Sequence, residues 1–138
     1  MKKRIISLLL LLSVALLTFV GCSEEVGDPW ADAIYTEDTA LGTGACEFLV
    51  DIEAGEKSIT LTVKTDKEYL ADALLELGII EGTEGPYGLY IDKVNGILAS
   101  YEGDGAWWGL TVNGETSMSG VSAVKVESGA RYGLKYSK

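Results

Sequence analysis

From residue 47 onward apolar and polar positions alternate in steps of two. Phe48, Val50 and Ile52 are separated by Leu49 and Asp51 and flanked by Glu47 and Glu53, the pattern of a strand with one buried face. Ala54-Gly55-Glu56-Lys57 reads as a turn, after which Ile59, Leu61 and Val63 alternate with Ser58, Thr60, Thr62 and Lys64, so the two runs predict a hairpin. The period then lengthens. Leu70, Ala73, Leu74 and Leu77 form a helical stripe, Thr65-Asp66-Lys67-Glu68 has the form of a capping box with Thr65 as N-cap, and Gly78 supplies a left-handed stop. Three further strands are predicted. Residues 89–94 close at Asn95-Gly96, residues 107–112 end at Asn113-Gly114, and residues 131–136 carry Tyr132, Leu134 and Tyr136 on one face. This order predicts an α+β fold, one mixed sheet of about five strands packed on one helix in the β-grasp plan.

The chain begins differently. Lys2, Lys3 and Arg4 precede a run, residues 5–20, that is apolar except for Ser7, Ser13 and Thr18; Gly21-Cys22 follows, and Ser23, Glu24 and Glu25 turn the composition acidic. This is the build of an export signal, and the run is short for a spanning helix of about 20 apolar residues. Phe19-Val20-Gly21-Cys22 resembles the lipobox of bacterial lipoproteins. The resemblance implies a signal peptide over residues 1–21 and lipidation of Cys22, with two acyl chains holding the protein to the cell membrane at ~0.8 kcal/mol per buried methylene. The alternative is an uncleaved N-terminal anchor with Cys22 incidental. Either way the domain faces the outside of the cytoplasm. Residues 22–44 have few apolar positions beyond Trp30, Ile34, Tyr35 and Leu41, and are expected to form a flexible acidic tether, with the patch at residues 30–35 either docked or disordered. Residues 45–138 form the domain.

Charge narrows the partners. Loss of the signal removes three of 11 basic residues and leaves all 21 acidic ones, eight against 21, a net charge of −13. Such an excess repels nucleic acid. Chemistry is narrowed by what is missing. The chain has no histidine, which removes Ser-His-Asp and Cys-His catalysis and the commonest zinc ligand. No phosphate-binding glycine loop occurs, and Gly42-Thr43-Gly44 does not extend to one. Glu102-Gly103-Asp104-Gly105 lacks the alternating ligands of an EF-hand and is read as a solvated loop rather than a calcium site. Cys46 is read either as a reactive thiol or as a half-buried strand residue. No catalytic set, no metal site and no cofactor are expected, and the protein is not read as an enzyme.

Binding is the remaining class. Aromatic and glycine residues cluster at Tyr87, Tyr90 and Tyr101 and at Trp107-Trp108-Gly109. Alternation puts Trp108 with Leu110 and Val112 on the core face, and Trp107 with Gly109 and Thr111 on the other, where Arg131, Gly133 and Lys135 of the last strand also fall. An exposed tryptophan beside glycines offers an apolar platform over a shallow hollow. It can equally be a cover for strand glycine. The candidate ligand-binding set is Trp107, Tyr87, Tyr90, Tyr101, Gly109 and Asn113, the three tyrosines being read alternatively as half-buried packing residues and the last, in a turn, assigned by resemblance alone.

That resemblance rests on residues 72–78, Gly85-Pro86-Tyr87-Gly88-Leu89-Tyr90, Val94-Asn95-Gly96, Trp107-Trp108 through Val112-Asn113-Gly114, and the segment 126–136. Together these resemble the transcobalamin C-terminal-like domain of bacterial lipoproteins, over about residues 45–138. The resemblance implies a β-grasp fold and a soluble ligand, cobalamin or another corrinoid. In the carriers of that family the β-domain closes over a corrinoid held by a large helical domain, which this chain lacks. The second class of function in view is adhesion or scaffolding on a surface protein or glycan.

Overall fold

Two nine-residue strands, β2 (Cys46–Ala54) and β3 (Lys57–Thr65), form the hairpin around which the rest is arranged; the computed structural model describes residues 28–138. Their register sets Phe48 opposite Val63, Val50 opposite Leu61 and Ile52 opposite Ile59. All six side chains are buried on one face. The main sheet is completed by β1 (Thr39–Gly42), β7 (Trp107–Val112), β8 (Glu115–Thr116) and β9 (Arg131–Ser137), in the order β1-β3-β2-β9-β7-β8. Strand β9 lies parallel to β2 and antiparallel to β7, so the sheet is mixed. Tyr132 and Leu134 of β9 continue the buried row, and the Tyr132 ring meets Phe48 edge-on at 5.1 Å.

The helix α1 (Leu70–Glu76) buries Leu70, Ala71, Ala73 and Leu74. It starts later than the capping-box pattern predicts. Strand β3 runs through Thr65, whose hydroxyl accepts from the Lys67 N–H at 3.0 Å and so turns the chain instead of capping a helix. The N-cap is Tyr69, without a side-chain hydrogen bond, and the Leu70 N–H is taken by the Val124 carbonyl at 2.8 Å. Tertiary contact does here what a local cap was expected to do. The helix ends as predicted: Gly78 is left-handed at φ +69°, its N–H donates to Leu75 O, and the Ile79 N–H donates to Leu74 O, the paired bonds of a Schellman stop.

One sheet was expected; there are two. Strands β4 (Ile80–Gly85), β5 (Gly88–Val94) and β6 (Ile97–Leu98) form a separate three-stranded sheet with β5 in the middle. The run predicted at residues 89–94 is thus a strand, but its neighbour is β4, which the Ile80-Glu81-Gly82-Thr83-Glu84-Gly85 sequence hides by having no apolar alternation. The two strands come very close at Gly82, where any Cβ would strike the Tyr90 carbonyl. A register shift beside Gly82 leaves Asp92 as the extra residue of β5. A short α2 (Tyr101–Asp104) follows, capped by Ser100, whose hydroxyl accepts from the Gly103 N–H at 3.1 Å.

Residues 28–44, expected within the tether, pack on the domain. Trp30 sits in a 3-10 turn, Pro29–Asp32, is buried, and donates its indole N–H to the Ala54 carbonyl at 2.9 Å. Strand β1 extends the main sheet beside β3. Asn95 ties the segment between them: its side chain accepts from the Tyr35 N–H and donates to the Tyr35 carbonyl, both at 2.8 Å, and its own carbonyl accepts from the Ile34 N–H. Folded structure therefore begins ahead of the expected boundary at residue 45. The physical reason is that one large aromatic and one bidentate amide supply enough contact to order a polar stretch.

Candidate functional site

Strand β7 is half-exposed along one edge. Strand β8 pairs with it only at Thr111 and Val112, so residues 107–110 have β9 on one side and, among the described residues, no strand on the other. Strand β5 is likewise covered by β6 only at Lys93 and Val94. Between these two open edges lies a cleft of about 360 Å³. Leu89, Tyr90 and Ile91 form one wall, Trp107 through Thr111 the other, and Ser117, Ser119 and Lys135 stand at its rim. Trp108 fastens the walls together. Its ring is buried, its indole N–H donates to the Ile97 carbonyl at 3.2 Å, and it meets Tyr136 edge-on at 5.6 Å.

Alternation along β7 turns Trp107 the other way, and the residue is 46% exposed. Its ring lies over Gly109, where a Cβ would meet the ring edge at 3.0 Å; in the same manner Thr111 crowds Gly133. The tryptophan is thus both a cover for strand glycine and one wall of the cleft. Around it the open sheet face is lined with cross-strand ion pairs, Glu47 with Lys64 at 3.6 Å, Glu53 with Lys135 at 3.9 Å, and Asp51 with Arg131, whose Nη2 reaches Asp51 Oδ1 at 2.9 Å. At Asp51 partial burial pushes the carboxyl up, but hydrogen bonds from Arg131 and Thr60 and the guanidinium charge together hold it below 3.8. On the core side, burial pushes the Tyr132 hydroxyl above 10.0, although it accepts from the Glu127 N–H and donates to the Lys125 carbonyl, each at 3.1 Å.

Of the residues singled out by sequence, Trp107, Gly109 and Tyr90 share this cleft. Tyr90 also reaches a second hollow, of about 460 Å³, between β5, β6 and α2, which Tyr101 lines as well. Tyr87 joins neither; it is 97% exposed at the tip of the β4–β5 hairpin. Asn113 belongs to the β7–β8 turn at φ +50°, and its side-chain oxygen accepts from the Arg131 N–H at 2.9 Å. The structure gives Asn113 turn and bracing roles. Cys22 and the signal segment lie outside the described residues. Cys46 is half-buried on β2 opposite Thr65 and forms no disulfide among the described residues. Asn95, expected as a turn residue with a binding role by resemblance alone, is buried and hydrogen-bonded to Tyr35, a structural role that an Asn-Gly pair does not announce; Leu98 and Asp92 carried no expectation as site residues, because their placement depends on the second sheet.

The cleft can hold an apolar or planar group between tyrosine and tryptophan, with serine hydroxyls and one ammonium at the rim. Among the described residues, no three carboxylate or thiol side chains gather where they could hold a metal ion.

A family model described as a domain of unknown function (DUF4430) matches residues 68–138. No curated protein matches the chain. Among solved structures, the chain is similar to a protein from Ruminococcus gnavus ATCC 29149 provisionally described as metal binding, with 24% identity and a TM-score of 0.64, over 68% of this chain and 98% of that one. It is also similar to haptocorrin in complex with Cbi, with 22% identity and a TM-score of 0.51, over 67% of this chain. The matched part is 25% of haptocorrin's length. At these identities the likeness is one of fold.

Proposed function

This chain belongs to the DUF4430 family, and from that premise we propose that it is an exported, lipid-anchored module without catalytic activity that binds a soluble ligand in the cleft between β5 and β7. The observation that carries the reading is the cleft itself, lined by Tyr90 from one sheet and Trp107 from the other. Its size, about 360 Å³, lies at the lower end of the roughly 300–1,000 Å³ range of small-molecule sites. A corrinoid is the first ligand class to try, because haptocorrin, which shares the fold, is seen in complex with Cbi. A macrocycle of that size would enter only in part, and its binding by this module alone would be weak for want of burial. Anchoring is proposed through Cys22 in the lipobox-like Phe19-Val20-Gly21-Cys22, which places the module outside the cytoplasm.

The test is tryptophan fluorescence titrated with cobinamide and cobalamin, corrected for absorption by the ligand. Trp107 is exposed in the cleft wall, Trp108 lines the same cleft with its ring buried, and Trp30 is buried elsewhere, so a ligand in the cleft acts most directly on Trp107. The reading expects a saturable change that disappears in Trp107→Ala. A linear response to all ligands, unchanged by that substitution, overturns it for corrinoids.

One observation favours adhesion as a second reading. Tyr87 and Met118 are 97% and 98% exposed on adjacent loops, the Tyr87 carbonyl lying near Gly120. Two bare apolar side chains at the tip of the molecule suit contact with a surface protein. Replacing both with serine should then abolish partner capture while ligand titration at Trp107 stays as it was.

A further inference from the structure

The larger hollow, of about 460 Å³, is a different kind of place from the β5–β7 cleft. Its walls are Tyr90 and Asp92 from β5, Leu98 from β6, and Tyr101 and Glu102 from α2. Among the described residues no lysine or arginine lines it. The lysine of β5, Lys93, is drawn off by Glu81 at 3.5 Å. Asp92 is the extra residue at the register shift between β4 and β5, and its Oδ2 accepts from the Thr83 hydroxyl at 3.0 Å, which fixes the carboxylate in the wall. Asp92 and Glu102 take part in no ion pair among the described residues, whereas Glu81 and Asp104, near them in the chain, do. Tyr101 is 65% exposed and Leu98 59%, so an aromatic ring and an aliphatic side chain are left bare beside two carboxylates.

From this combination we propose that the hollow binds an alkylammonium cation, a positive nitrogen carried on an apolar body. Tyrosine ring faces carry negative potential and attract a weakly hydrated cation. The carboxylates supply the charge, and Leu98 with Ala99 receives the alkyl part. A carboxylate pair alone would suit a small metal ion as well. The exposed rings and the leucine select against one, because a strongly hydrated metal ion gains nothing from them. The inference does not rest on the β5–β7 reading: only Tyr90 is shared between the two hollows.

The experiment is an amide chemical-shift titration of the full-length chain with choline, and in parallel with 3,3-dimethylbutan-1-ol, the neutral molecule of the same shape. Choline should give saturable shifts at Leu98 and at residues 100–102, and the alcohol should not. Tyr101→Ala and Glu102→Gln, both at exposed positions and therefore tolerated by the fold, should each weaken choline binding up to about fivefold, the first by one exposed cation–π contact and the second by one exposed charge pair. Trp107→Ala should leave it unchanged, which separates failure here from failure of the corrinoid reading. The proposal is overturned if choline does not saturate, if the neutral alcohol binds as well, if calcium produces the same shifts at lower concentration, or if both wall substitutions are without effect.

Discussion

Replacing Trp30 with alanine tests whether the polar segment ahead of the first long strand is structural. A tryptophan side chain buries about 200 Å², which at roughly 25 cal/mol per Å² is about 5 kcal/mol of apolar burial. Alanine keeps a small part of that. The indole N–H bond to Ala54 adds about 1 kcal/mol, and the Lys57 ammonium, 4.9 Å from the ring centroid, adds up to about 1 kcal/mol more. Not all of this is lost in practice, since the denatured chain already buries some of the ring. Trp→Ala changes in cores cost about 3–5 kcal/mol, and a loss in that range is expected. Trp30→Phe should cost only about 1–2 kcal/mol, because it keeps most of the apolar area and gives up the hydrogen bond. Urea unfolding followed by far-ultraviolet circular dichroism measures both, with equal slopes confirming that stability and not compactness has changed. If Trp30→Ala shifts stability by less than about 1 kcal/mol, the segment contributes little to the fold and the reasoning fails.

Four other outcomes follow from named contacts. Asn95→Ala removes both side-chain bonds to Tyr35 and leaves at φ +52° a residue that tolerates the left-handed conformation less well than asparagine, so a loss of about 2–4 kcal/mol is expected in the same urea assay. Because the Asp51 carboxyl is held below 3.8 in the folded state, its contribution is present above that pH and is lost as pH falls through the folded value; Asp51→Asn should therefore flatten the fall in the urea midpoint below about pH 4. The Tyr132 hydroxyl is shifted the other way, so its contribution is complete below pH 10 and is lost as pH rises further; Tyr132→Phe should lower the midpoint at pH 7 and reduce its decline above pH 10. Metabolic labelling with a fatty-acid analogue should mark the wild-type chain and not Cys22→Ser, and an unlabelled wild-type chain would remove the anchoring proposal.

The hairpin was legible because Phe48, Val50, Ile52 and Ile59, Leu61, Val63 bury one face each, and burial of one face is what a period of two records. Trp108 and Trp107 could be assigned to opposite faces for the same reason. The end of α1 was legible because a Schellman stop needs a left-handed residue and Gly78 supplies it. Its beginning was not, since the first turn is completed by Val124, more than 50 residues away, and local pattern carries no trace of that. Strand β4 escaped notice for a related cause: of its residues only Ile80 is buried, and a strand exposed on both faces has no period to read. Missing β4 meant placing residues 89–94 in the main sheet, and that placement hid both hollows. The candidate residues Trp107, Tyr90 and Gly109 were found by type and proximity in sequence, yet the cleft they share exists only because β5 left the sheet in which it was expected. Tyr87 and Asn113 had the right composition and a different place.

The central claim is that the edge between β5 and β7 receives a ligand. Backbone amide shifts recorded as cobinamide is added to the isotopically labelled chain report on it residue by residue. Binding there gives saturable changes concentrated at residues 89–91, 107–111 and 117–120, with the Pro29–Asp32 turn and β3 unmoved. Shifts scattered over the whole surface, or confined to the Tyr87 tip, would contradict it.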